Sequence, residues 1–395
     1  MSFLEQAQQL KETLVKNRRY LHQHAELGFD LPMTREYVKQ QLSAMGYEYE
    51  EVGGGIVALA GGKKSGKVFM IRADMDSLPI VEKRESEFKS ETGNMHACGH
   101  DFHTAMLLGA AQILKNNEDE INGTVKLMFQ PAEEILSGAK SMIDAGVMEN
   151  PKVDAAAMIH VVSGTDLPAG CVLLPNPGAG SSAADWVDIT ITGVGAHGAM
   201  PQNSVDPINV ASHLHTALQE ILAREISPSA AASFTIGVLN SGSAGNVLPD
   251  KATMTGTMRT LDEDVRAFMK KRIEEMSDHI AKAFRATAEV RFYNGCPVFV
   301  SEEKICEDVA DSVRSVIGAD RAILPPKSTA LGGSEDFAYV AQLVPATSVM
   351  LSTGSIKEGN VNPLHHPDVT FNEDALPVGA AIYATIALDW LNKNQ

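Results

Sequence analysis

Cysteine is scarce. The 395 residues contain four, Cys98, Cys171, Cys296 and Cys306, too few for a disulfide framework in so long a chain and best suited to a reducing cytoplasm. Long apolar runs are also missing: none approaches the roughly 18 residues that a spanning helix needs, so a soluble protein without membrane partners is expected. The N-terminal stretch Met1-Ser2-Phe3-Leu4-Glu5-Gln6 lacks the basic and then apolar order of a secretory signal. Positive charge is in deficit. With 33 Lys and Arg against 50 Asp and Glu, the net charge is −17, which repels nucleic acid and acidic membrane surfaces and points to a small-molecule partner. Internal repeats and low-complexity tracts are absent. An apolar content of 44% with 21% charged residues excludes disordered and fibrous classes.

This length exceeds the roughly 100–200 residues of one ordinary domain, and two are expected. A helix is indicated by Val38, Leu42 and Met45, stopped at Gly46. Three continuous apolar runs follow, at 68–71, 125–129 and 156–159, as strands buried on both faces of a parallel sheet should read. Helical patterns around 105–115 and 139–145 lie between them, giving βαβαβ with right-handed crossovers. The runs end at Asp74 and Asp76, at Pro131 followed by Glu133 and Glu134, and at His160. Open α/β sheets bind ligands at the carboxyl ends of their strands, so these acids and the histidine are expected to converge on one rim. Near Trp186 the pattern changes. Residues 187–191 alternate; a helix from Pro207 to about Arg224, strands at 234–238 and 252–258, a helix N-capped by Asp262 and a strand at 290–292 complete a β-α-β-β-α-β, ferredoxin-like unit. The first pattern resumes after Pro297. The expected architecture is therefore a discontinuous α/β domain, 1–184 and 295–395, interrupted by an α+β domain at 185–294.

The densest chemistry lies in Met95-His96-Ala97-Cys98-Gly99-His100-Asp101-Phe102-His103, where five of nine side chains can bind metal. On an extended segment Cys98 and His100 would face the same way. The string also fits a buried cysteine beside surface histidines. Gln130-Pro131-Ala132-Glu133-Glu134 places two acids side by side, where they cannot aim at one atom. If one ligates metal, the other is placed to take a proton from water. A solvated helix start is the alternative for the acids, and a core histidine is the alternative for His160. His365 and His366 offer two further imidazoles on a proline-bounded loop, of which one is needed. Cys98, His100, Glu134, His160 and His365 together could hold two ions a few ångströms apart.

These strings, with Arg72-Ala73-Asp74-Met75-Asp76, Gly195-Ala196-His197-Gly198-Ala199 and Ser334-Glu335-Asp336-Phe337, resemble the M20 metallopeptidase family. The likeness is to its aminoacylase and hippurate-hydrolase branch and runs from Arg18-Arg19-Tyr20-Leu21-His22 to His365-His366-Pro367. It implies a zinc-peptidase-like catalytic domain with an inserted lid and dimerisation domain, and a binuclear amidohydrolase acting on N-acyl amino acids of acetyl, benzoyl or indoleacetyl type. A dipeptidase, an N-acetyl-diaminopimelate-type deacetylase and a metal or peptide binder without turnover are the alternatives. By resemblance, Cys98, His100, Glu134, His160 and His365 are the ligands of two divalent ions (zinc, manganese, cobalt or nickel), with Cys98 bridging, and Glu133 is the general base. His365 is preferred over His366 because the family pattern is Leu-His-x-Pro. His197 would steady the oxyanion in a neighbouring subunit's site, implying a homodimer or higher oligomer, while Asn246 and Arg259 would hold the substrate carboxylate. Three departures bear on substrate: Phe102 where glycine is common, adding bulk beside the site; a longer stretch after His160; and Ala25 in place of proline.

Overall fold

The computed structural model describes residues 1–326 and 332–395. Two compact units divide the chain: the first comprises Met1–Gly180, 300–326 and Asp336–Gln395, and the second Ser181–Phe299 with 332–335.

The first unit is built on an eight-stranded mixed sheet. Its centre is parallel: Thr124–Gln130, Val68–Asp74, Ala155–Val162 and Ala346–Ser352 lie side by side in that order. Val68–Asp74 is buried at every position, as its unbroken apolar run requires. The chain lays its next strand on one side of Val68–Asp74 and the following one on the other, so the order reverses at this strand, where a doubly wound sheet opens a crevice at its carboxyl edge. At one edge Tyr49–Val52 and Gly55–Gly61 form an antiparallel hairpin turned by Gly53 and Gly54, both at positive φ. Two-residue strands, Val172–Leu173 and Ala322–Ile323, finish the other edge.

Helices His100–Asn116 and Leu376–Lys393 pack on each other and against the central strands. Their approach is close because a methyl added to Gly379 would collide with Met106, and one added to Gly109 would lie 3.0 Å from Ala380 Cβ. The segment Glu373–Lys393 is long and apolar enough to cross a membrane, yet most of it is buried within this unit, which is how a core helix reads. Tyr383 on this helix ties two central strands together: its hydroxyl donates to the Arg72 carbonyl at 2.6 Å and accepts from the Ile159 N–H at 3.0 Å.

The second unit is a four-stranded antiparallel sheet in the order Ala232–Ser241, Lys251–Thr260, Ala183–Thr192, Thr287–Cys296. Val187, Ile189 and Ile191 alternate inward and meet Val210, Leu214 and Leu218 of one helix and Met269 and Ile273 of the other in one core. Asp206 and Asp262 cap these helices by accepting two backbone N–H groups each. The first helix is α-helical over Pro207–Glu220 and then widens into a π turn at Ile221–Glu225. This unit therefore has the ferredoxin-like order read from the sequence.

Candidate metal centre

The strand at 124–130 delivers the acids. After Gln130 the chain makes a tight loop with non-glycine residues Ala132 and Leu136 at φ 56° and 53°, a cost that persists only where neighbours fix the backbone. Asp76 is one such neighbour. Its carboxylate accepts the N–H of Glu133 at 3.0 Å and of Glu134 at 3.2 Å, so the acid closing one strand aims the acids closing the next. The loop re-enters a helix at Gly138, where a Cβ would strike the Pro131 carbonyl.

Cys98 and His100 are placed by a turn. The extended segment expected here is absent: Gly99 adopts φ +87° as the N-cap of His100–Asn116, and a side chain there would meet Val161. The helix thus begins five residues earlier than the apolar periodicity indicated. His160 lies within its strand rather than ending it, since Ala155–Val162 continues two residues further. His365 sits at φ 66° with its N–H bonded to the Ala97 carbonyl at 2.9 Å. Gly164, in the stretch after His160, packs on Asn362 and Pro363, so that stretch buttresses the His365 loop.

These pieces converge. Cys98 Sγ is 3.5 Å from His160 Nε2 and 3.3 Å from His365 Nε2. His100 Nε2 lies 3.8 Å from Glu134 Oε1 and 3.9 Å from Glu133 Oε2, and His365 Nε2 lies 3.8 Å from Glu134 Oε2. The donors form overlapping triplets, Cys98–His100–His160 and Cys98–Glu134–His365, which share the sulfur. His366 is outside them, its Nδ1 accepting the Asp368 N–H at 3.1 Å. A cation fits this set on a direct observation: His100 Nε2 and Glu134 Oε1 are buried, face one another and have no hydrogen-bond partner, an arrangement that is costly unless an ion lies between them.

The electrostatics agree. Burial, reinforced by Glu134, pushes the Cys98 thiol up, and burial with the charges of Asp76 and Asp74 raises Glu134 to about 7. Burial disfavours a charge on His100, but Asp74, Cys98 and the bond to Asp76 together outweigh it and raise that imidazole. A divalent ion reverses the penalty on the thiolate and the carboxylate.

Sequence reasoning did not assign the residues that hold the donors. His103 looks like a ligand in the string, yet both its nitrogens are occupied: Nδ1–H donates to Asp74 at 2.6 Å and Nε2 accepts the Val161 N–H at 2.9 Å. Burial lowers it to about 4. Arg72 pairs with Asp74 at 2.7 Å and Asp336 at 3.1 Å, and Asp336 also accepts from Gln130 and the Ala139 N–H. Asp101, next to His100, is bound by Arg18 at 2.9 Å and His22 at 2.8 Å. The spacing Arg-x-Asp-x-Asp in 72–76 was the available signal, since buried charges must be paired. Phe102 corrects an expectation. Its ring is fully buried, 5.4 Å from Phe371 and beneath Arg18, so its bulk is taken up in the core.

In the second unit, His197 pairs with Val247 in a two-stranded ribbon, and the Gly198 N–H donates to the Asn246 carbonyl at 2.8 Å. His197 and Asn246 are therefore neighbours, both exposed. Arg259 is half-buried on Lys251–Thr260 and donates to Thr257 at 3.4 Å.

Residues 70–389 match the model of peptidase family M20/M25/M40. The chain belongs to this family. As an M20 hydrolase it is 36% identical over 395 residues to thermostable carboxypeptidase 1 of Saccharolobus solfataricus, with 98% of this chain and 97% of that one covered. It is 37% identical over 370 residues to N-acetyl-L-cysteine deacetylase of Bacillus subtilis, covering 93% and 85%. The crystal structure of a dinuclear metal binding M20 peptidase from Bacillus subtilis superposes with a TM-score of 0.79 at 30% identity over 98% and 99% of the two chains.

Proposed function

We propose that the protein is a cytoplasmic amidohydrolase that uses two divalent ions to cleave N-acyl amino acids to a carboxylic acid and a free amino acid. The observation that carries this reading is the pair of donor triplets sharing Cys98, with Glu133 immediately beside them. A binder needs the ligands but not the second carboxylate. Cys98, His100, Glu134, His160 and His365 hold the ions, which when bound supply Lewis acidity at the scissile carbonyl and lower the pKa of water toward neutrality. Glu133 Oε takes the proton of the attacking water and passes it to the leaving amine nitrogen. Asp76 keeps that carboxylate aimed by holding both backbone N–H groups of the acid pair.

In the inserted unit, proposed as lid and dimerisation domain, His197 steadies the oxyanion in a neighbouring copy's site, and Asn246 with Arg259 holds the substrate carboxylate. The names of the deacetylase and of the carboxypeptidase among its relatives support a scissile amide next to an amino-acid carboxylate. The scarcity of cysteine, four in 395 residues, supports a reducing compartment.

The test is amino-acid release by protein stripped with chelator and reloaded with zinc, manganese, cobalt or nickel, on N-acetyl, N-benzoyl and indoleacetyl amino acids with dipeptides alongside. Metal-restored release from acyl compounds is expected. Release from dipeptides alone moves the assignment to peptidase, and silence with metal bound removes the enzyme reading of this substrate class.

A further inference from the structure

Alternate residues of one loop, Glu82, Arg84, Ser86 and Phe88, line a cavity of about 320 Å³, whereas Lys83, Glu85 and Glu87 between them are exposed and outside its wall. That is the two-residue period of an extended segment with one side turned inward. Helix Lys11–Gln23 adds Arg18 and Arg19, and residues 369–374 close the wall ahead of the last helix. No donor of the metal centre lines it. In a chain of net charge −17, three arginines therefore meet on one small cavity. The acids of the wall are already matched. Glu373 accepts from Arg19 at 2.9 and 2.7 Å and from Arg18 at 3.3 Å; Glu82 accepts the Ser90 N–H at 2.9 Å and lies 3.3 Å from His22 Nε2; Asp374 takes Lys11 at 2.6 Å. Arg84 has no partner among the described residues, and the buried Ser86 hydroxyl has none either.

We propose that this cavity is a second binding site, separate from the metal centre, for a small oxyanion carrying two or more negative charges, a phosphate ester or a polycarboxylate. The unmatched groups decide the class. A guanidinium offers five N–H donors and no acceptor, and a hydroxyl beside it can donate as well, so the ligand that completes them is rich in acceptors and negative. Preorganisation favours it further. The guanidinium groups of Arg18 and Arg19 each lie over the Phe88 ring at 4.7 Å from its centroid, which holds them in place before a ligand arrives. The volume is at the small end of the range for ligand sites, roughly 300–1,000 Å³, and so selects a compact anion.

The experiment is calorimetry on the metal-loaded protein with glycerol 3-phosphate and with succinate, and with acetate as the monoanion control at equal ionic strength. Both dianions are expected to bind more tightly than acetate, and the tighter of the two tells phosphate ester from polycarboxylate. Arg84→Ala should weaken the better dianion about tenfold or more, as the loss of a charge-assisted hydrogen bond does, with an unchanged melting temperature because Arg84 is exposed and supports no other residue. Ser86→Ala should weaken it severalfold. A Glu134→Gln chain, depleted of metal, should bind the dianion as the wild type does. Equal affinity in wild type and Arg84→Ala, no preference for dianions over acetate, or loss of binding in Glu134→Gln would each overturn the proposal, the last by placing the anion on the metal centre.

Discussion

Glu133 and Glu134 are adjacent in sequence, and the proposed function gives them different work. Glu134 Oε1 and Oε2 lie 3.8 Å from His100 and His365 respectively, and Glu133 Oε2 lies 3.9 Å from His100; in the proposed mechanism Glu134 is the ligand and Glu133 the base. Glu133→Gln should therefore lower kcat about 100-fold or more, the range of general base catalysis, while metal content by atomic absorption stays at the wild-type level. Glu134→Gln should instead lower metal content. His365→Ala should also lose metal, and His366→Ala should keep it; the reverse result would overturn the ligand choice. Protonation gives a third reading. Burial holds Glu134 up at about 7 in the metal-free protein, above the ordinary carboxylate value, so the folded state binds a proton that the unfolded state has lost. Stability of the metal-free protein should then fall as pH rises from the ordinary carboxylate range through 7, and metal affinity should rise over the same window as the competing proton leaves. Denaturant midpoints with chelator, and calorimetric proton release on metal addition, check both signs.

Short turns carry Cys98 into its helix and the acid pair out of its strand, and their glycines are the places to break them. Gly99 needs φ +87° and has no room beside Val161, and Gly138 has no room beside the Pro131 carbonyl. Gly138→Ala must move the loop that carries Glu133 and Glu134, so metal affinity and kcat should both fall while the melting temperature drops by only a few degrees, an effect of about 1 kcal/mol. Gly99→Ala should do the same for Cys98 and His100. A large loss of stability with unchanged metal affinity would show that the turns serve the core and not the centre. These turns mark the limit of what the sequence displayed. The buried strands and both helices of the second unit announce themselves by period, because each residue in them repeats one environment. The Cys98–His100 turn has no period, and an extended segment was the natural expectation. His103 is another such case. Its ring carries a ligand's chemistry, yet Asp74 and the Val161 N–H already occupy it, which only the folded arrangement of three separate strings can reveal.

At the scale of the whole molecule, the alternation of continuous and alternating apolar runs was enough to separate a two-sided buried sheet from a one-sided one, and so to find an α+β unit interrupting an α/β unit. The two-residue strands Val172–Leu173 and Ala322–Ile323 escaped, being too short to carry a pattern. The same separation assigns the chemistry unevenly. Cys98, His100, Glu134, His160, His365 and Glu133 lie in the first unit, while His197, Asn246 and Arg259 lie in the second. If His197 serves a neighbouring copy, a Glu133→Gln chain and a His197→Ala chain are each inactive for a different reason, and each supplies what the other lacks. Unfolding the two together and refolding them in equal amounts gives half mixed dimers, and each mixed dimer has one complete site of two. Activity should return to about a quarter of wild type, with a dimer mass by light scattering. If His197 serves its own chain, no mixed species contains a complete site and activity stays at the level of the single variants, so the recovered fraction alone decides between the two arrangements.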